Sequence, residues 1–157
     1  MNLNTFYVRA FGFRKIPLLF FASPSVLELS DERCVVKIPL CFRTRNHLGS
    51  LYFGALAIGA DCAGGLIAMK NIEAQGNAVS LIFKDFKASF LKRAEGDTLF
   101  TCVQGREIRE LVTRAMETGE RQNLSVNVVA TVPSKSGDEP VAQFELTLSL
   151  KKKAILK

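Results

Sequence analysis

From Asn77 onward the chain sets apolar residues at every second position. NAVSLIFKDFKASFLKRA puts Val79, Leu81 and Phe83 on one face and Ser80 and Lys84 on the other, the period of a half-buried strand. TLFTCVQG, NLSVNVVATVP and VAQFELTLSLKKK predict three more strands, with AEGDT (94–98) and KSGDEP as turns. Between them, REIRELVTRAMETG changes period. Ile108, Leu111, Val112, Ala115 and Met116 share one helical stripe, which predicts a helix over 106–118 ended by Gly119. Upstream, SVLELSDERCVVKIPL reads as two short strands, or one bent strand, around Asp31-Glu32.

Residues 51–69 follow neither pattern. They are almost wholly small or apolar, with a single carboxylate, Asp61, in the middle. A helix over 50–70 fits, with Ser50 as N-cap and an end near Lys70-Asn71. Its length would suit a bilayer span, but a central Asp costs about 2.5–3.5 kcal/mol there. A helix apolar all round is buried on all sides, and strands with one apolar face need a cover. The pattern therefore predicts an α+β fold in which a curved antiparallel sheet wraps one long central helix. Gly54, Gly59, Gly64 and Gly65 each cost about 1 kcal/mol against Ala in a helix. Close approach of the sheet would explain them. Met69 and Phe83 read as core.

The 157 residues fit a single domain over 1–157, with residues 1–24 as an N-terminal helical or irregular extension. A net charge of +6 is spread along the chain. No Trp, two Tyr and no aromatic–basic interleaving argue against nucleic acid. The charge fits solubility or an anionic small ligand. Four cysteines without a CxxC pair and one histidine, His47, disfavour a metal site, and free thiols fit a cytoplasmic location. The Phe-rich N-terminus leaves surface membrane contact open, though it is not expected.

The stretch NHLGSLYFGALAIGAD makes a resemblance specific. It is similar to the helix-start motif of hotdog-fold thioesterases of the phenylacetate-pathway and 4-hydroxybenzoyl-CoA types. There the order is Asn, a loop Gly, His-Gly-Gly, and an acid nine residues after the His. Asn46 matches the Asn, Gly49 the loop Gly, Gly54 the second Gly of the pair and Asp61 the acid. Tyr52 stands at the His and Phe53 at the first Gly. FLKRAEGDTLFT resembles the strand-turn-strand that follows the helix. The likeness spans roughly 35–150, with 106–118 as an extra helix. The whole chain resembles, more closely, an uncharacterised hotdog family classed as a domain of unknown function, with Tyr-Phe-Gly in place of His-Gly-Gly.

The resemblance implies an acyl-CoA thioesterase. Asp61 would act as base or nucleophile, the Gly54 N–H would polarise the carbonyl, and Asn46 and Tyr52 would position water or substrate. Phe53 would line the acyl site, while Lys87, Lys92 and Arg93 would meet the phosphates of coenzyme A, which enters as part of the substrate; no separate cofactor is implied. Physical chemistry agrees: helix-start N–H groups lack partners and carry partial positive charge, and a carboxylate in apolar surroundings is a stronger base. Cys62 lacks a basic neighbour and His47 lacks a partner, so neither is expected in the chemistry. A homodimer or dimer of dimers is expected, because unpaired sheet edges need covering. A non-catalytic acyl-CoA or fatty-acyl binding module is the second reading. A hydratase is the third, and the absence of a histidine at the helix start speaks against it.

Overall fold

The structure, a computed structural model, describes residues 2–153. Met1 and residues 154–157 of the expected domain lie outside the described residues. The elements run α1 (Leu3–Lys15), α2 (Pro17–Ala22), β1 (Ser25–Leu29), β2 (Cys34–Ile38), α3 (Phe53–Ala74) and β3 (Val79–Phe90). They continue with β4 (Thr98–Cys102), α4 (Gly105–Thr118), β5 (Gln122–Thr131), α5 (Pro133–Ser136) and β6 (Pro140–Lys152).

Local chemistry explains most of the ends. The Asn2 side chain accepts from the Thr5 N–H and starts α1, and Pro17 at the first turn of α2 restarts the helix after Ile16. Gly119, at φ +70°, ends α4. Two expected ends of α3 move. Ser50 is not its cap: Ser50 is buried and bonded to Asn46, and Tyr52 takes the N-cap position without a side-chain bond. At the other end α3 runs past Lys70-Asn71 to Ala74, because the left-handed residues that close it are Gly76 and Asn77. The KSGDEP turn is wider than a tight hairpin, since α5 forms one helical turn before Gly137.

All six strands pair antiparallel in the order β1-β2-β4-β5-β6-β3. The sheet packs on α3, and α4 lies beside it, adding Ile108, Leu111, Val112 and Ala115 to one continuous core. This is the hotdog arrangement. By length and composition α3 could cross a bilayer, but 56% of its most apolar window is buried by the rest of the chain.

Three of the four helix glycines face sheet side chains. A Cβ at Gly59 would overlap the ring of Phe100 on β4. Gly64 meets Val126 of β5 at 3.3 Å, and Gly65 meets Phe83 of β3 at 3.4 Å. Gly54 differs: the atom its Cβ would meet is in the ring of Tyr52, not in the sheet.

The helix is not covered all round. Phe53, Ala57, Asp61 and Met69 recur at spacings of four or eight, so they lie on one stripe. Phe53 is 60% exposed and Met69 39%, while Ala57 and Asp61 are half-buried. Met69 is therefore not core within one chain. The stripe runs beside β3, which pairs only with β6 and so forms a free sheet edge.

Candidate functional site

Asp61 stands mid-way along the uncovered stripe of α3. Its carboxylate has no hydrogen-bond or ion-pair partner among the described residues, and Oδ1 sits 3.7 Å from where a Gly65 Cβ would be. Gly65 thus leaves room for the carboxylate and for the Phe83 ring together. Burial pushes the Asp61 carboxyl up to about 6, with no cation nearby to hold it down. An acid with that pKa is mostly ionised near neutrality and still basic enough to take a proton.

Gly54 lies two positions inside the helix, where amides lack helical acceptors and the macrodipole is positive. It stands seven residues before Asp61, nearly the same direction around the axis and about 10 Å along it, at 1.5 Å per residue. Within one chain the amide and the acid are thus set well apart along the helix. The Tyr52 ring lies against the Gly54 Cα, with Cε1 2.7 Å from an ideal Cβ, and its centroid is 4.7 Å from that of Phe53. Tyr52 is 48% exposed and Phe53 60%, so the helix start presents two rings to the surface.

The other expected site residues divide. The Asn46 side chain is taken up by its own loop: Oδ1 accepts from the N–H groups of Leu48 (2.9 Å) and Ser50 (3.2 Å), and Nδ2 donates to Ser50 Oγ (3.0 Å). These bonds shape the turn into α3. Lys87 lies on the wrong face. It sits directly opposite Glu145, whose carboxylate accepts from Ser125 on the outer side of the sheet, so the sheet separates Lys87 from Asp61. Lys92 is ion-paired with Glu139 at 2.5 Å. Arg93 is exposed and adjoins Ala94, whose carbonyl accepts the Leu51 N–H at 2.8 Å, so it stands beside the helix start. His47 is exposed in the loop. Cys62 is buried, and burial with the adjacent Asp61 charge raises its thiol well above the usual range, which makes it a poor nucleophile. No three His, Cys, Asp or Glu side chains converge as metal ligands among the described residues.

Pattern reading missed an aromatic row. A bulge between Phe83 and Phe86 shifts the register of β3 by one. Phe86 and Phe90 therefore join Phe83 on the inner face, where their rings stand 5.7 and 6.2 Å from that of Phe144. Both remain about half exposed along the free edge. The signal was present: the alternation breaks at Lys84-Asp85 and resumes at Phe86. Two clefts, of about 340 Å³ beside Arg109 and Arg114 and about 280 Å³ beside Asn2 and Lys37, lie away from Asp61.

Comparison with known proteins bears on this geometry. A Pseudomonas aeruginosa protein described as of unknown function, probable thioesterase, is 25% identical, with TM-score 0.78 and coverage of 98% of this chain and 99% of that one. A thioesterase from Haemophilus influenzae is 13% identical, with TM-score 0.62 over 85% of this chain and 82% of its own. A mutant thioesterase from Pseudomonas aeruginosa is 13% identical, with TM-score 0.69 over 98% and 97%. The latter two likenesses are of fold. No curated protein matches the chain in sequence. These likenesses agree with the hotdog arrangement of sheet and helix, and residues 6–150 match one family throughout: the chain belongs to the family described as a domain of unknown function, DUF4442.

Proposed function

We propose that this protein is a hotdog thioesterase that hydrolyses an acyl-CoA-type thioester as a homodimer or dimer of dimers in the cytoplasm. The observation that carries this reading is Asp61: an unpartnered carboxylate with a raised pKa on the open, apolar face of α3. The four free thiols agree with a reducing compartment, and the relatives named as thioesterases agree with the reaction class.

The 10 Å between Gly54 and Asp61 gives the dimer its purpose. Two α3 helices packed antiparallel about a two-fold axis near Ala57-Ile58 would bring Asp61 of one chain toward Gly54 of the other. The same pairing would cover the stripe and join the free β3 edges. In the composite site the thioester carbonyl accepts from the Gly54 N–H. Asp61 either takes a proton from the attacking water or attacks the carbonyl itself. The tetrahedral oxyanion rests on the helix start. Its collapse breaks the C–S bond: with water as nucleophile, the thiolate leaves with the proton that Asp61 held; with Asp61 as nucleophile, an Asp61–acyl anhydride remains, which a water then hydrolyses, freeing the acid and Asp61 and supplying the proton that the thiolate takes. The acyl chain would lie along Phe53, Phe86 and Phe90, with Arg93 near the phosphates.

One observation favours a second reading, a non-catalytic acyl-CoA or fatty-acyl binding module. The Tyr52 ring crowds the approach to Gly54. A thiol-release assay over acyl-CoA chain lengths, run beside calorimetric binding of the same esters, decides between them. Turnover by wild type that falls about 10²–10⁴-fold in Asp61→Asn supports hydrolysis by a general base or nucleophile. Binding without turnover in both proteins selects the binding module.

A further inference from the structure

Helices α1 and α2 form a hairpin whose outer side is apolar and uncovered. Phe13 and Leu18 are each 67% exposed and Phe21 59%, and the Phe13 ring stacks edge-on with Phe20 at 5.3 Å, which joins the two helices. The loop after β2 extends the patch. Arg43 donates to Ser23 Oγ at the end of α2 (2.7 Å), and its neighbour Phe42 is 83% exposed with the Arg45 guanidinium 5.7 Å from its ring centre. The same loop reaches the candidate site, since the Tyr52 N–H donates to the Thr44 carbonyl at 2.8 Å. Isolated exposed apolar residues are ordinary, but a joined aromatic surface of this kind marks a docking face.

Charge indicates the occupant. No acid occurs from Asn2 to Leu27, nor from Arg33 to Ala60. Arg14 and Lys15 stand in the last turn of α1, at the hairpin bend, and Arg43 and Arg45 flank Phe42. A second copy would bring the same basic surface to a chain of net charge +6. An interface rich in Phe and Leu and flanked by cations, in which the one acid bonded beside the loop, Asp97 on the Leu40 N–H, is ion-paired with Lys37, complements an anionic lipid surface, where rings enter the acyl boundary and cations meet headgroups. We propose that the α1–α2 hairpin and the 41–45 loop dock this protein on an anionic lipid bilayer, with the start of α3 turned toward the membrane. The proposal stands whether or not the protein hydrolyses thioesters.

The test is co-sedimentation of the full chain with vesicles of phosphatidylcholine alone and of phosphatidylcholine with an equal share of phosphatidylglycerol. Wild type is expected to sediment with the anionic vesicles and far less with the neutral ones, and high salt should release it. The variant Phe13→Ser/Leu18→Ser/Phe21→Ser should lose binding while keeping the wild-type circular dichroism spectrum. Arg14→Gln/Lys15→Gln, which leaves the apolar surface intact, should lower partitioning by about 25-fold, at roughly fivefold per cation near an anionic surface. Failure to sediment, equal sedimentation with neutral vesicles, or wild-type binding by both variants would overturn the proposal. So would a wild type that ignores vesicles while the serine variant changes its size on gel filtration, because the patch would then be a contact between copies.

Discussion

Replacing Asp61 by Asn separates what the residue does to the fold from what it does for chemistry. The carboxyl ionises near 3.8 in an unfolded chain and near 6 when buried on α3. Folding therefore disfavours the charged form. The stability present below pH 3.8 is lost as pH rises through 6, the reverse of a salt-bridged carboxylate. The interval from 3.8 to about 6 is about 2.2, and at 1.36 kcal/mol per pKa unit the loss is about 3 kcal/mol above pH 7. Asn has nearly the same shape and never ionises. Asp61→Asn should thus be more stable than wild type at pH 8 by up to about 3 kcal/mol, or about 6–12 °C in Tm for a chain of this size. At pH 4 the gap should largely close. Asp31 and Asp97 have lowered pKa values, through hydrogen bonds from Lys70 and Lys37 respectively, but their pH dependence is common to both proteins and cancels in the difference. Urea unfolding at both pH values measures the gap, and thiol release on the same samples should show the stabilised variant inactive. A difference in stability that is the same at pH 4 and pH 8, or a variant less stable at pH 8, would refute burial of a charge-capable carboxylate at this position.

Other expectations follow from the same geometry. Gly59→Ala gains about 1 kcal/mol of helix propensity but pushes a methyl into the fully buried Phe100 ring; overpacking costs about 1–3 kcal/mol. Calorimetry should find it melting below Gly64→Ala, which meets Val126 at 3.3 Å and Val128 at 3.8 Å. Asn46→Ala removes the loop bonds to Leu48 and Ser50. It should lower stability by about 1–2 kcal/mol and leave kcat per folded molecule unchanged; a fall in kcat at constant Tm would return Asn46 to the chemistry. Ala57→Arg places a cation at the proposed two-fold axis, and sedimentation velocity should find smaller particles without activity; an unchanged assembly would remove the composite site. Arg93→Ala should raise KM for a coenzyme A ester, while Lys87→Ala, on the outer face, should not.

Much of the fold was legible because its signals are local. The two-residue period of 122–131 and 140–152 and the helical stripe of α4 each follow from one segment burying one face. Asp61 was legible for a related reason: a carboxylate within an apolar run is conspicuous without any knowledge of its neighbours. The misplaced details depend on partners far away in sequence. Ser50 looked like a cap, but Asn46 holds it in the loop. Lys87 looked like a phosphate ligand until its place opposite Glu145 put it on the outer face. Met69 looked like core, but the sheet leaves its stripe open.

The sequence by itself determined most of the strands, the wrapped helix and the lone acid within it, because period, glycine content and a lone charge are properties of single segments. Only the tertiary structure decided which face of α3 stays open, that Tyr52 packs on Gly54, and that a bulge turns Phe86 and Phe90 inward. Those outcomes depend on register and on contacts between residues distant in the chain, where a shift of one position in β3 exchanges one face of the strand for the other.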